Sequence, residues 1–320
     1  MAPASPDIAI IIPCYNEAAT IGSVIKGLRE IRSDLSIYVY DNNSTDESRR
    51  VATEHEADVR TEPRQGKGNV VRRMFADIEA DIYVLIDGDD TYDTQSLNTL
   101  IEKLLNENLD MVTGRRIEQD LRAYRFGHRF GNRLLTRITR LLFGQQPSDL
   151  LSGYRVMSRR FVKSFPAVSS GFEIETELTI HALSLNIPSA EVDTPYRMRP
   201  IDSASKLNTY RDGARILSTI LLFTKEERPF LFFSVLSLVL TTLSLYLGVP
   251  VTLEFFDTGL VTRFPTAILS ASIMLLAFLG LTTGMILDSV ARGRREQKRL
   301  AYLSLDWLSR QHSSNQGSSM

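Results

Sequence analysis

Residues 84–93 read Val-Leu-Ile-Asp-Gly-Asp-Asp-Thr-Tyr-Asp, an apolar run that breaks into four carboxylates, Asp87, Asp89, Asp90 and Asp93. The segment leading in, Asp81 to Ile86, has the β-branched and aromatic make-up of a buried strand. Carboxylates this close repel one another unless a cation sits among them. Two readings stand: a divalent-metal site at a strand end, or an acidic turn facing water.

Working outward, Ile8–Pro13 (IAIIIP) predicts another buried strand, with a helix opening near Asn16 and Glu17 and ending near Arg32. Residues 36–40 (SIYVY) predict a strand ending at Asp41, and 44–48 (STDES) read as a cap, with Ser44 or Thr45 starting the next helix. GKGNVVRRMFADIEA predicts a loop passing into a helix; a further helix is expected over 94–108 and a strand over 110–114. Alternating units at this spacing imply an α/β protein with a doubly wound, mostly parallel sheet. Such sheets bind ligands beyond the carboxyl ends of their strands. Pro13–Glu17, Asp41–Asp46 and Asp87–Asp93 all fall there, which favours one site over three unrelated turns.

Mg²⁺ or Mn²⁺ suits such a site, because hard cations prefer carboxylate and phosphate oxygens. Gly88 between Asp87 and Asp89 lets the backbone bring ligand and metal close. RQGKG (64–68) adds Arg64 and Lys67 between glycines, a phosphate signal without Walker-loop spacing.

The 320 residues exceed what this one α/β unit needs, and the formal net charge of −1 argues against a generally basic nucleic-acid binder. The single cysteine, Cys14, excludes an intramolecular disulfide and a Cys-based zinc cluster, which fits a reducing compartment. The N-terminus does not resemble a signal peptide. Residues 229–253 and 264–287 contain no charged side chain, and each exceeds the roughly 20 residues that cross a bilayer core as a helix. Ten residues separate them, which predicts a transmembrane hairpin. Arg211, Arg215, Lys225 and Arg228 precede it, and Arg292, Arg294, Arg295, Lys298 and Arg299 follow it. The positive-inside rule places both ends in the cytoplasm. The expected organisation is a catalytic head over 1–206, a juxtamembrane amphipathic helix over 207–228, spans over 229–253 and 264–290, and a cytoplasmic tail over 291–320. The part of the tail after Trp307 reads as disordered.

IIIPCYNEAATIGSVI, DNNSTDES, GKGNVV and DGDDTYD resemble the inverting glycosyltransferases of family 2. DLLSGYRVMSRRF (149–161) and SASKLNTYRDGARI (203–216) resemble their polyprenyl-phosphate branch: dolichyl-phosphate mannose synthases and bacterial undecaprenyl-phosphate glucosyltransferases. The resemblance covers nearly the whole chain. It implies a GT-A fold with the DXD motif at Asp87-Gly88-Asp89, Asp87 and Asp89 holding the metal with the donor diphosphate. It places Pro13, Tyr15 and Glu17 around the nucleoside, Asp41 at the base or ribose, and Lys67 among the donor-binding residues. Arg116, Arg129, Arg133 and Ser152 match acceptor-phosphate positions, and Arg199, Ser205 and Lys206 sit on a loop over the donor phosphates. Two departures stand out. Thr91 replaces a Gln that touches the metal in some relatives, and Asp202 and Ser203 replace a loop Gly.

Eight arginines lie between Arg115 and Arg140, without a lysine, and Phe126, Phe130, Leu134, Ile138 and Leu141 recur among them at helical spacing. A nucleic-acid patch and an interfacial helix on anionic lipid both fit; the apolar face favours the lipid. Arginine also suits bidentate phosphate binding. Glu175 is either a base or sugar-binding carboxylate or part of a polar helix face. His128 and His181 have no metal-ligand spacing.

A lipid monophosphate has a second pKa of about 6 and needs no general base to attack. Asp89 with Arg116, Arg129 and Arg133 would therefore act by holding two phosphates together against repulsion. The expected activity is metal-dependent inverting transfer of a hexose, UDP-glucose first, to a polyprenyl phosphate. By the same resemblance a homo-oligomer, a tetramer, is expected. A processive glycan synthase fits less well, with two spans and no QxxRW-like stretch: Trp307 is the only tryptophan. A non-catalytic membrane-anchored scaffold is the third reading.

Overall fold

The computed structural model describes residues 6–118, 148–171, 173–197, 222 and 224–316, with side chains described to 305. The chain divides into two units. One comprises Met1–Ile216 and Lys298–Met320, the other Leu217–Gln297.

The first unit is a seven-stranded sheet in the order β3-β2-β1-β4-β6-β5-β7. Its strands are β1 (Ile8–Cys14), β2 (Ser36–Asp41), β3 (Asp58–Thr61), β4 (Ile82–Leu85), β5 (Met111–Glu118), β6 (Arg155–Ser158) and β7 (Ser189–Tyr196). The helices between them are α1 (Ile21–Ile31), α2 (Ser48–Glu54), α3 (Lys67–Asp77), α4 (Leu97–Asn106), α5 (Arg159–Ser164) and α6 (Ile174–Ser184). β1 runs unbroken in apolar residues because both its faces are covered. Ile8, Ile10 and Ile12 pack into the core that holds Ile25 and Leu28 of α1, while Ala9 and Ile11 pack against Val71 and Met74 of α3. β1 pairs in parallel with β2 on one side and β4 on the other. The chain order therefore reverses at β1/β4, where an open α/β sheet leaves a crevice at its carboxyl ends. Among the described strands only β6 runs against its neighbours, antiparallel to both β4 and β5.

The expected cap at Ser44 or Thr45 is corrected: α2 starts at Ser48 without a side-chain cap. Asp46 Oδ1 accepts from Ser48 N at 3.0 Å, and other side-chain bonds of this segment reach the loop after β1. Ser44 Oγ accepts from Asn16 N at 2.9 Å, Asp46 Oδ2 from Ala18 N at 3.1 Å, and Ser48 Oγ from Glu17 N at 2.8 Å. The two loops after β1 and β2 are thus stitched together.

In the second unit, α7 (Pro229–Thr258) and the first part of α8 (Phe264–Gln316) are long and apolar enough to cross a membrane. Buried positions recur every seven residues, at Ser237, Ser244 and Val251 on α7 and at Ser270, Ala277, Gly284 and Ala291 on α8. Ser237 Oγ donates to Ala277 O and Ser244 Oγ to Ser270 O, both at 2.7 Å, so the helices run antiparallel. Small residues permit this close approach, and each hydroxyl satisfies itself on the neighbouring helix. α7 runs five residues past 253, and α8 continues without a break past 290 to Gln316, through most of the segment expected to be disordered. Backbone hydrogen bonding does not stop where apolarity stops.

Within the first unit, the end of α8 is a docked element. Tyr302 is buried, and its hydroxyl donates to Asp110 Oδ2 at 2.6 Å. Arg160 pairs with both oxygens of Asp110, at 2.6 Å each, and lies 4.7 Å over the Tyr302 ring. Tyr302→Phe should cost about 1.5–3 kcal/mol, the worth of a hydrogen bond to a charged group. Melting curves of the intact protein in detergent would show it.

His181 of α6 is buried, its ring nitrogens have no hydrogen-bond partner among the described residues, and it lies edge-on to Phe161 and Phe165. Burial pushes its pKa down to about 3, with Lys298 adding to the effect. A base depressed in the folded state is neutral there, while the unfolded chain takes up a proton below about 6.5. Stability therefore falls as pH drops from about 6.5 toward 3, by about 2 kcal/mol at pH 5. His181→Leu should flatten the pH dependence of the melting temperature between pH 7 and 5, which thermal scans would read directly.

Candidate active site

Pro13 lies in the last part of β1's pairing with β2, and the loop that follows Cys14 turns through Asn16, whose φ of 53° places it in the left-handed region that asparagine tolerates. Asn16 Oδ1 accepts from Thr45 N at 2.8 Å. Glu17 and Asp41 are buried, and Asp41 accepts from Ser44 N with both oxygens. Tyr15 is half-buried on the same loop. The structure thus brings Pro13, Tyr15, Glu17 and Asp41 to adjacent strand ends.

Asn42, not singled out in the sequence, joins the third loop to these. Its Nδ2 donates to Glu62 O and Arg64 O at 2.8 Å each, and its Oδ1 accepts from Gly66 N at 2.7 Å. Gly66 has φ +128°, and a Cβ there would run into the Ser170 carbonyl, so this turn admits only glycine. It delivers Lys67 as the first residue of α3.

Lys67 Nζ lies 2.5 Å from Asp87 Oδ1 and 2.5 Å from Glu175 Oε1. Burial alone would lower the Lys67 pKa, but the two carboxylates reverse this and leave it raised. Burial pushes Glu175 up, with Lys67 pulling against it. Glu175 is a buried carboxylate of α6, paired with Lys67. Asp87 also packs on Gly153: a Cβ at 153 would overlap its carboxylate.

Asp89 is buried, and its Oδ1 accepts from Thr91 N at 3.2 Å and Thr91 Oγ1 at 2.5 Å. Thr91, standing where some relatives carry a glutamine, therefore orients Asp89. Thr20 Oγ1 donates to Gly88 O at 2.8 Å and fixes the peptide between the two aspartates.

On the β5 side, Arg116 grips Asp149 with two bonds of 2.7 Å and lies 5.4 Å over the Tyr196 ring. Burial would raise the Asp149 carboxyl, but Arg116 holds it below the usual range. Ser152 is fully buried and donates to Gly114 O at 2.6 Å, so its hydroxyl shapes the loop. Tyr92, also missed in the sequence, accepts from Gly153 N at 2.7 Å. Arg129, Arg133, Arg199, Ser205 and Lys206 lie outside the described residues.

The donor set at Asp87, Asp89 and Thr91 is all hard oxygen, and the place between Asp87 and Glu175 already accommodates a cation, the Lys67 ammonium. A hard divalent ion fits this chemistry. Among the described residues no group of three or more His, Cys, Asp or Glu side chains could hold a metal by itself, so a bound diphosphate and water would complete the shell.

The family model described as "Glycosyl transferase family 2" matches residues 9–165. Glycosyltransferase AglJ of Haloferax volcanii is 31% identical over 299 residues, covering 92% of this chain and 97% of its own length. The dolichyl-phosphate hexose transferase of the same organism is 28% identical over 222 residues, 69% of this chain and 96% of that protein. Among solved structures, Mycobacterium tuberculosis glucosyl-3-phosphoglycerate synthase with Mn²⁺, UDP-glucose and phosphoglyceric acid aligns at a TM-score of 0.54 and 26% identity, covering 68% of this chain and 79% of that one. With a relative matched almost end to end and the carboxylates of the motif gathered at the end of β4, this chain is a glycosyltransferase and belongs to glycosyl transferase family 2.

Proposed function

We propose that the protein transfers a hexose from a UDP-sugar, UDP-glucose first, to a polyprenyl phosphate at the cytoplasmic face of a membrane, inverting the anomeric centre. The observation that carries the lipid acceptor is that a glycosyltransferase unit is followed in the same chain by two helices long and apolar enough to cross a membrane. A relative named for dolichyl-phosphate hexose transfer supports it. The Mycobacterium enzyme with UDP-glucose and Mn²⁺ supports the donor and a divalent ion. The flanking arginines support a cytoplasmic head and tail around the hairpin.

In this reading Asp87 and Asp89 hold the ion and, with Lys67, the donor diphosphate; bound there, the ion supplies positive charge to the leaving nucleotide. Pro13, Tyr15, Glu17 and Asp41 border the nucleoside. Arg116, shared with Asp149, works with Arg129 and Arg133 on the acceptor phosphate, a dianion that attacks without a base. Glu175, held by Lys67, is a charge partner in this scheme. Arg199, Ser205 and Lys206 complete the donor-binding set in this reading.

The test offers radiolabelled UDP- and GDP-hexoses with undecaprenyl or dolichyl phosphate in detergent, with Mg²⁺, Mn²⁺ or EDTA. Glycolipid from one donor, lost with EDTA, is the expected result. Nucleotide binding without glycolipid from any donor would overturn the lipid acceptor.

A further inference from the structure

Arg155, the first residue of β6, is among the largest side chains in the protein with no exposure to solvent. Among the described residues its acceptors are backbone carbonyls and a thioether: Nε donates to Ser152 O at 3.0 Å, Nη2 to Glu175 O at 2.9 Å and Leu150 O at 3.3 Å, and Nη1 to Met111 Sδ at 3.4 Å. A buried guanidinium bound to carbonyls instead of a carboxylate is a costly way to hold a strand end. What it gathers explains the expense.

The segment 149–153 that Arg155 holds touches both halves of the site. At one end Asp149 carries Arg116. At the other, Gly153 backs the Asp87 carboxylate and is tied to Tyr92, while Ser152 is tied to Gly114. The third carbonyl belongs to Glu175, the residue that holds Lys67 against Asp87. One planar fork therefore fixes the backbone beneath Asp87, Glu175 and Arg116 at once. Lysine, a single point charge on a flexible stem, does not reproduce that fork.

We propose that Arg155 is a positioning residue for group transfer: it sets the spacing between the donor side at Asp87 and the acceptor side at Arg116, touching neither substrate. The proposal rests on the donor lying at Asp87 and Asp89, as in the proposed function. Arg155→Lys and Arg155→Met should each lower kcat for lipid-stimulated UDP release by about tenfold to a hundredfold, the upper end being what a misplacement of about 1 Å can cost. Affinity for UDP with Mn²⁺, read by calorimetry, should stay within about threefold, because binding tolerates misplacement better than chemistry does. Circular dichroism and gel filtration in detergent confirm that each variant is folded at the assay temperature.

A variant that melts earlier but shows wild-type kcat and KM below its melting point would overturn the proposal and leave Arg155 a stabilising residue only. If neither variant accumulates folded, Met111→Leu decides, since it removes one Arg155 acceptor without touching the loop. A reduced kcat there supports the proposal and a wild-type kcat overturns it. If the wild-type protein itself shows no lipid-stimulated UDP release, the acceptor reading fails separately, and the same variants are judged by UDP-glucose hydrolysis.

Discussion

Asp89→Asn is expected to lower sugar transfer by about a thousandfold, the scale reached when a group stabilising transition-state charge is removed. The fold should be unaffected. Asp89 is 4% exposed, and its Oδ1 accepts from the backbone and hydroxyl of Thr91. Asparagine has the same shape and keeps that acceptor, so the turn stays satisfied. What it loses is the negative charge a hard cation needs. Thermal melting should therefore match the wild type, while Mn²⁺-dependent UDP binding weakens together with turnover. Retention of transfer within tenfold would remove Asp89 from the metal site.

Lys67→Met is the variant expected to damage stability most. The ammonium is enclosed between Asp87 and Glu175, and all three side chains are largely buried. Removing it leaves two carboxylates facing each other, and breaking a buried pair by taking away one partner costs about 3–5 kcal/mol. At that size the melting temperature should drop by about 10 °C. The double variant Lys67→Met with Glu175→Gln removes the uncompensated charge along with its partner and should recover a large part of the loss. Donor binding should stay weak in both, since neither restores the cation beside Asp87. Equal melting of the single and double variants would show that the ion pair does not account for the stability.

The strand-end carboxylates were legible because the signal is local. A β-branched run followed by Asp87-Gly88-Asp89 announces a buried strand and its polar mouth within ten residues, and the mouths of β1 and β2 read the same way. The apolar helices were legible because length and lack of charge decide them. The start of α2 was misread because STDES does not open a helix at Ser44 or Thr45: Ser44 and Ser48 Oγ bond the loop after β1, and Asp46 joins that loop to Ser48 N, the first residue of α2. A capping pattern in sequence does not say which backbone it will satisfy. Nor did composition reveal that β6 runs antiparallel between β4 and β5, since a four-residue strand looks the same in either direction.

The sequence by itself determined the family, the alternating α/β plan, the acidic motif and the two apolar helices, each written in neighbouring residues or a short period. Only the tertiary structure decided which distant groups meet: Lys67 with Glu175, Arg116 with Asp149, Arg155 with the carbonyl of Glu175, and Tyr302 with Asp110. Such pairs form because a buried charge or hydroxyl must find a partner wherever the packed sheet places one. Periodicity along the chain does not encode that choice.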